Sequence, residues 1–190
     1  MFTQAPDTLI EFALVAAGGS TLVIFAVALQ NFFVQPPVLT RYQRLFQDLS
    51  VLAGIIHGIS LVWIEPASEG QAGVAIAMYG ASLTIFLASI EAARRVPLTR
   101  TFVYEPRPDR VLRTGPFRFV RHPIYLAYSL AWLAAPVAMS SVLLGLTAAG
   151  LISCYAVSAV EEERRLLASP LGPEYRDYIK ATKRFVPFVY

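Results

Sequence analysis

Two groups of polar side chains interrupt the apolar C-terminal half of the chain at spacings that suit a binding site. His122 and Tyr125 are three residues apart, so they share a face if this segment is helical. Tyr155, Ser158 and Glu162 share a face of a second helix by the same periodicity. Because carboxylates and aromatic faces both attract cations, the second group suits a positively charged ligand. We therefore predict a polar binding site where these two helix faces meet.

The helix ends that carry these groups have opposite electrostatic preferences. Pro123 predicts the first turn of a helix, whose free N–H groups favour negative charge. Glu161, Glu162 and Glu163 lie at the predicted C-terminal end of the next helix, where the helix dipole disfavours acids unless cations satisfy them. We predict neighbouring sites for negative and positive charge, which would suit a zwitterion with an additional positive centre.

The composition requires a membrane as the surroundings of these helices. Hydrophobic residues make up 56% of the 190 residues and charged residues 15%, which is far from the average soluble domain. Uncharged windows cover residues 12–40, 49–64, 70–90 and 122–160. Since about 20 apolar residues cross a bilayer, the last window predicts two helices that turn near Pro136 and the sequence AMSS. The prediction is an all-α integral membrane protein with five transmembrane helices, the last two forming a helical hairpin, in a single domain of residues 1–190.

The basic residues predict the orientation of these helices. All sixteen lysines and arginines lie between the first and second spans, between the third and fourth, or after the fifth. By the positive-inside rule these segments are cytosolic, the N-terminus lies outside and the C-terminus is cytosolic. The net charge of +3 therefore reflects topology and attraction to membrane lipids, and it gives no reason to expect nucleic acid as a partner. We expect a multi-pass integral membrane protein with its active site facing the cytosol.

Several further residues limit the chemistry. Cys154 is the only cysteine, so an internal disulfide and a cysteine-based metal site are excluded, and we predict no metal. His57 lies within the second span, where a packed or helix-bridging role competes with an intramembrane relay. Pro173 predicts a short helix with Tyr175 and Tyr178 on one face. The chain has no GxGxxG pattern after a strand, which excludes a soluble-type nucleotide-binding fold.

Three motifs resemble those of a known family. LRTGPFRFVRHPIY (112–125), EERRL…G…Y…Y (162–178) and RFVP (184–187) are similar to motifs of the isoprenylcysteine carboxyl methyltransferase and phospholipid methyltransferase family. Its members are integral membrane enzymes that use S-adenosylmethionine. The resemblance implies methyl transfer to a lipophilic acceptor, which could be a prenylcysteine-like carboxylate, a lipid amine or a thiol. It implies a cytosolic cofactor site built from residues 105–128 and 155–187.

The resemblance also assigns individual residues. The positions that it assigns to the cofactor are Asp109, Arg110, Val111, Leu112, Phe117, His122, Pro123, Ile124, Tyr125 and Glu162. Phe117 stands where the family usually has a tyrosine. The register of the three glutamates can shift by one position, so a neighbour of Glu162 can take its place. Ser158 stands where the isoprenylcysteine enzymes have an arginine associated with the acceptor carboxylate, which weakens the match to a prenylcysteine substrate.

The expected chemistry makes few demands on acid–base groups. Methyl transfer from a sulfonium is an in-line displacement that depends on positioning and on the exclusion of water. The candidate catalytic residues are Glu162, Glu163 and Arg121. An arginine suits the cofactor's carboxylate, Glu162 suits its positive charges, and Glu163 or His122 can take a proton from a thiol or amine. Two other functions stay open, a membrane reductase with a nicotinamide cofactor and a non-enzymatic membrane scaffold of the same fold.

Overall fold

The computed structural model describes residues 8–34, 38–94, 96, 98–99 and 110–185. These residues form six α-helices, one 3-10 helix and one parallel pair of two-residue strands. In chain order the elements are α1 (Leu9–Asn31), β1 (Phe33–Val34), α2 (Arg41–Trp63), α3 (Glu69–Ala92), β2 (Leu98–Thr99), the 3-10 helix (Gly115–Arg118), α4 (Pro123–Met139), α5 (Val142–Leu167) and α6 (Gly172–Ala181). The predicted all-α class is confirmed.

Four of the helices have the length and composition of membrane spans. They are α1, α2, α3 and α5, with 23 to 26 residues each. The helix α4 is apolar but has 17 residues, which corresponds to a rise of about 26 Å, close to the lower limit for a span. Large apolar side chains cover the outside of the four long helices, among them Val23, Ile55, Leu87 and Leu146. An apolar surface of this extent faces lipid, as in a multi-pass membrane protein.

The predicted hairpin is confirmed, and it turns at Ser140 and Ser141. Ser140 has a φ of 48° and ends α4 in the left-handed conformation. The Ser141 hydroxyl caps α5 by accepting the Leu144 N–H. Pro136, which the sequence suggested as part of the turn, lies inside α4, where its carbonyl accepts the N–H groups of both serines. The hairpin brings the start of α4 and the end of α5 to the same end of the bundle.

The helices α3 and α4 form the most extensive pair in the bundle because both present small residues. The Ser82 hydroxyl of α3 donates to the Ala127 carbonyl of α4 at 2.7 Å. Alanines are fully buried on both helices, namely Ala72, Ala75, Ala127, Ala134, Ala135 and Ala138. Small residues let helix backbones approach closely and pack by van der Waals contact in a membrane. This packing fixes α4, which carries half of the predicted site.

His57 connects α2 to α5 inside the bundle. Its Nε2 atom lies 2.9 Å from the Thr147 hydroxyl oxygen, and its ring is edge-on to Trp132. The Thr147 hydroxyl donates to the Leu144 carbonyl at 2.8 Å, so it accepts from His57. The geometry therefore supports the packed, helix-bridging role of this histidine.

The predicted short helix after Pro173 is confirmed as α6. Tyr175 and Tyr178 lie on its buried face. Burial raises the pKa of both phenols, so they remain neutral donors at physiological pH. The Tyr178 hydroxyl donates to the Phe117 carbonyl at 2.5 Å. This bond attaches α6 to the 3-10 helix that precedes α4.

Candidate active site

The start of α4, the end of α5 and residues 182–185 meet at one end of the bundle. Residues 182–185 lie alongside the segment that leads into α4. The backbone N–H groups of Arg121 and His122 donate to the carbonyls of Lys183 and Arg184, at 2.8 Å and 3.1 Å. The backbone of the histidine is thus fixed by a segment that lies far from it in sequence.

The His122 side chain immediately precedes α4 and is available for contacts outside the helix start. Pro123 starts the helix and is fully buried, and Ile124 packs against the core beside it. His122 is the N-cap residue but its side chain makes no capping bond. Both nitrogens face glutamates instead.

Glu162 is held by uncharged hydroxyl groups. The Tyr125 hydroxyl donates to its Oε1 atom, and the Ser158 hydroxyl donates to the same atom at 3.3 Å. The other oxygen, Oε2, lies 3.6 Å from His122 Nδ1, which is beyond hydrogen-bond distance. The carboxylate side chain keeps 22% of its exposure. The two helix faces predicted from the sequence therefore meet at this glutamate.

Three rings form a column beside this carboxylate. The His122 and Tyr125 rings stack with their centroids 5.6 Å apart and their planes 12° apart. The Tyr125 and Tyr155 rings stack at 5.3 Å and 13°. The Trp132 indole fixes the last ring by donating to the Tyr155 hydroxyl at 2.9 Å. A carboxylate that is held by neutral hydroxyls beside this column is an environment that attracts a cation.

Glu163 has a different environment, formed by two guanidinium groups and the imidazole. Arg121 Nε donates to its Oε1 atom at 2.7 Å, and Arg184 donates to both oxygens at 3.1 Å and 2.8 Å. His122 Nε2 lies 3.2 Å from Oε1. Arg121 also donates to the Thr182 carbonyl. The side chains of Glu163 and Arg121 are only 6% and 8% exposed, so this is a buried ion-pair network.

Glu161 points to the outside of α5. It accepts from Arg164 at 2.8 Å and from Arg165 at 2.6 Å, one turn further along the same helix. Each of the three glutamates thus has its own partners. The unfavourable position of acids at a helix C-terminus is compensated by arginines for Glu161 and Glu163. Of the three, Glu162 is the one that accepts from the Tyr125 and Ser158 hydroxyls.

Comparison with known proteins places this chain in a family. The family model described as phospholipid methyltransferase matches residues 71–172, which is more than half of the chain and includes α4, α5 and most of α3. The chain belongs to the phospholipid methyltransferase family.

One curated relative matches a shorter part. Methanethiol S-methyltransferase 1 of Bradyrhizobium diazoefficiens is 34% identical over 84 residues, which cover 44% of this chain and 28% of the relative. The aligned part is therefore less than a third of that protein's length. The family match agrees with the resemblance seen in the sequence.

The segment that the family resemblance links to the adenosine end lies before α4. Arg110 is exposed there, and Val111 and Leu112 are half-buried. Asp109 lies outside the described residues. Phe117 is buried in the 3-10 helix and offers its carbonyl to Tyr178. The structure brings His122, Tyr125 and Glu162 together.

Arg184 was included in the RFVP motif by sequence analysis, but its role in this site was not predicted. Its side chain pairs with Glu163 and its carbonyl accepts the His122 N–H. One signal was present, because three consecutive acids at a helix C-terminus require cations. Arg121, predicted to suit the cofactor's carboxylate, is directed at Glu163 by the same network.

Proposed function

We propose that this membrane methyltransferase transfers the methyl group of S-adenosylmethionine to a lipophilic thiol or amine. The observation that supports the cofactor is the position of Glu162 beside the stacked rings of Tyr125 and Tyr155. Within the part of the chain that the structure describes, no lysine or arginine pairs with this carboxylate. A cofactor with an ammonium and a sulfonium supplies the positive charge that the site can accept.

Each group of the site would have a separate task toward the cofactor. When bound, S-adenosylmethionine supplies a methyl group on a sulfonium. The acceptor's sulfur or nitrogen would bond to the methyl carbon as the bond between that carbon and the sulfonium sulfur breaks. The acceptor's proton would pass to water. Glu162 would offset positive charge, and the rings would exclude water and orient the reacting groups. The first turn of α4 would suit the cofactor's carboxylate. Glu163 would hold its neighbours in place and not serve as a base, because two arginines already engage both of its oxygens.

The choice of a thiol or amine over a carboxylate acceptor depends on Ser158. This residue is fully buried between Tyr125 and Glu162. A carboxylate acceptor entering here would meet a hydroxyl and a like charge without a compensating cation, which would weaken its binding. A neutral nucleophile has no such cost. The relative that acts on a thiol by its name, methanethiol S-methyltransferase 1, agrees with a thiol acceptor.

The orientation of the site belongs to the same proposal. We propose five spans, with α4 as the fourth, and a cofactor site open to the cytosol. Support comes from the positive-inside rule and from the hairpin, which returns α5 to the end where α4 begins. The acceptor would reach the rings from the bilayer, since the surface of the bundle is apolar.

Binding and transfer assays on the purified full chain test the proposal. S-adenosylmethionine with a labelled methyl group should bind, whereas NADPH should not, and label should pass to a long-chain alkyl thiol or amine in detergent micelles. A long-chain carboxylic acid should stay unlabelled. NADPH binding without S-adenosylmethionine binding would indicate a reductase, and binding of neither would indicate a scaffold. Label on the carboxylic acid alone would contradict the proposed acceptor class.

A further inference from the structure

Glu163 must be ionised because of the cations around it. The guanidinium groups of Arg121 and Arg184 stay protonated at any physiological pH and donate to both of its oxygens. An ionised carboxylate can accept hydrogen bonds but cannot donate them. Any third group in contact with these oxygens must therefore bring a hydrogen.

The third group is His122 Nε2, at 3.2 Å from Glu163 Oε1. Contact with an acceptor requires that this nitrogen carry the ring hydrogen. In a neutral imidazole the other nitrogen, Nδ1, then has a lone pair and no hydrogen. The helix start does not change this, because the His122 side chain makes no capping bond.

The ring of His122 lies among charged side chains. Two guanidiniums and the carboxylates of Glu162 and Glu163 surround His122. The ring is buried between Tyr125 and Phe185.

The Nδ1 atom lies near a second acceptor. Glu162 Oε2 lies 3.6 Å away, and the hydroxyls of Tyr125 and Ser158 are bonded to Oε1 instead. Two acceptors at this separation cannot bond to each other. A single nitrogen can lie about 2.9 Å from both, since that is an ordinary N–H···acceptor distance. An ammonium has enough hydrogens to donate to both, whereas a sulfonium has none to donate.

We propose that Glu163 is a positioning residue that fixes the Nε2–H tautomer of His122, so that Nδ1 and Glu162 Oε2 together bind the ammonium of the cofactor's amino-acid end. This inference rests on the proposed function, because it assumes that the cofactor is S-adenosylmethionine. The two adjacent glutamates therefore have different roles. Glu162 touches the ligand, and Glu163 acts through the histidine.

Nitrogen NMR of the histidine rings tests the tautomer without any ligand. The chain has only two histidines, so labelling with ¹⁵N-histidine gives two ring systems, and a His57→Gln variant assigns them. In the full chain in detergent micelles near pH 7, His122 should show a protonated Nε2 and an unprotonated Nδ1. A protonated Nδ1, in either a neutral ring or an imidazolium, would overturn the proposal. This result does not depend on cofactor binding, so it separates failure of the inference from failure of the proposed function.

Three ligands then identify the group that Nδ1 recognises. S-adenosylmethionine and S-adenosylhomocysteine both have the ammonium, and each should shift the Nδ1 resonance while Nε2 stays protonated. Methylthioadenosine lacks the amino-acid end and should leave Nδ1 unshifted at saturation. A shift with S-adenosylmethionine but not with S-adenosylhomocysteine would assign the contact to the sulfonium and overturn the ammonium assignment.

Two matched substitutions on the same helix test the role of Glu163. In Glu163→Gln the amide can donate to Nε2, so the tautomer should become mixed and the affinity for S-adenosylhomocysteine should fall roughly tenfold. Glu161→Gln removes the same charge, but its partners are the exposed Arg164 and Arg165, so the tautomer and the affinity should not change. An unchanged tautomer in Glu163→Gln, or an equal change in both variants, would refute the positioning role. If Glu163→Gln fails to fold, the spectrum of the unaltered chain still decides the proposal.

Discussion

The substitution Glu162→Gln keeps the shape of the side chain and removes its negative charge. The Tyr125 and Ser158 hydroxyls can still donate to the amide oxygen, so the bundle should fold normally. A hydrogen bond to a charged group contributes about 1.5–3 kcal/mol. Because the side chain keeps 22% exposure, solvent screening should reduce this to the lower part of the range, about 1.5–2 kcal/mol. The dissociation constant of S-adenosylmethionine should then rise roughly 10- to 30-fold.

Equilibrium binding of labelled S-adenosylmethionine to the purified protein measures this change, and thermal unfolding gives an independent reading. At a ligand concentration of about 100 times the wild-type dissociation constant, the ligand stabilises the wild type by about 2.7 kcal/mol. A tenfold loss of affinity reduces this stabilisation to about 1.4 kcal/mol at the same concentration. The control is Glu161→Gln, which should keep the full protection. Unchanged affinity in Glu162→Gln would refute the assignment of this carboxylate to the cofactor.

Three other outcomes follow from the described geometry. Tyr125→Phe keeps the ring stack but loses the hydroxyl that donates to the Glu162 carboxylate, so thermal protection by S-adenosylmethionine should shrink. Full protection in this variant would contradict the assignment of Glu162 to the cofactor. Gly115→Ala should lower the free energy of unfolding by about 1–2 kcal/mol, because Gly115 has a φ of 57° and an added Cβ would lie 3.0 Å from a side-chain carbon of α3. Equal stability of the variant and the wild type in a thermal melt would contradict this. In a Cys154→Ser background, a cysteine at position 69 should react with an impermeant reagent on intact cells and one at position 118 should not; the reverse pattern would overturn the orientation.

The helices were predictable because their signals are local. Uncharged windows of sufficient length located α1, α3 and the α4–α5 hairpin, since membrane helices depend on apolar length. The start of α2 was harder, because Arg41 and Arg44 lie in its first turns and outside the uncharged window. A local signal was nevertheless present, as Thr40 and Gln43 form a capping box that marks the first turn.

The site was predictable only where it depends on helical periodicity. The spacing of His122 and Tyr125, and of Ser158 and Glu162, placed each pair on one face, and the structure joins these faces. The pairing of Glu163 with Arg184 was not predictable in this way. It depends on α6 directing the following segment back to the start of α4, and helical periodicity contains no information on such a distant pairing.

The pairing between residues 182–185 and the start of α4 has a consequence for biosynthesis. Translation proceeds from the N-terminus, so the α4–α5 hairpin exists before Arg184 does. During that interval Glu163 has Arg121 as its cationic partner, and the His122 N–H lacks the carbonyl that later accepts it. The helical bundle can therefore insert while its polar end is still incomplete. The order of synthesis therefore completes this polar end only after the residues of α4 and α5 have been made.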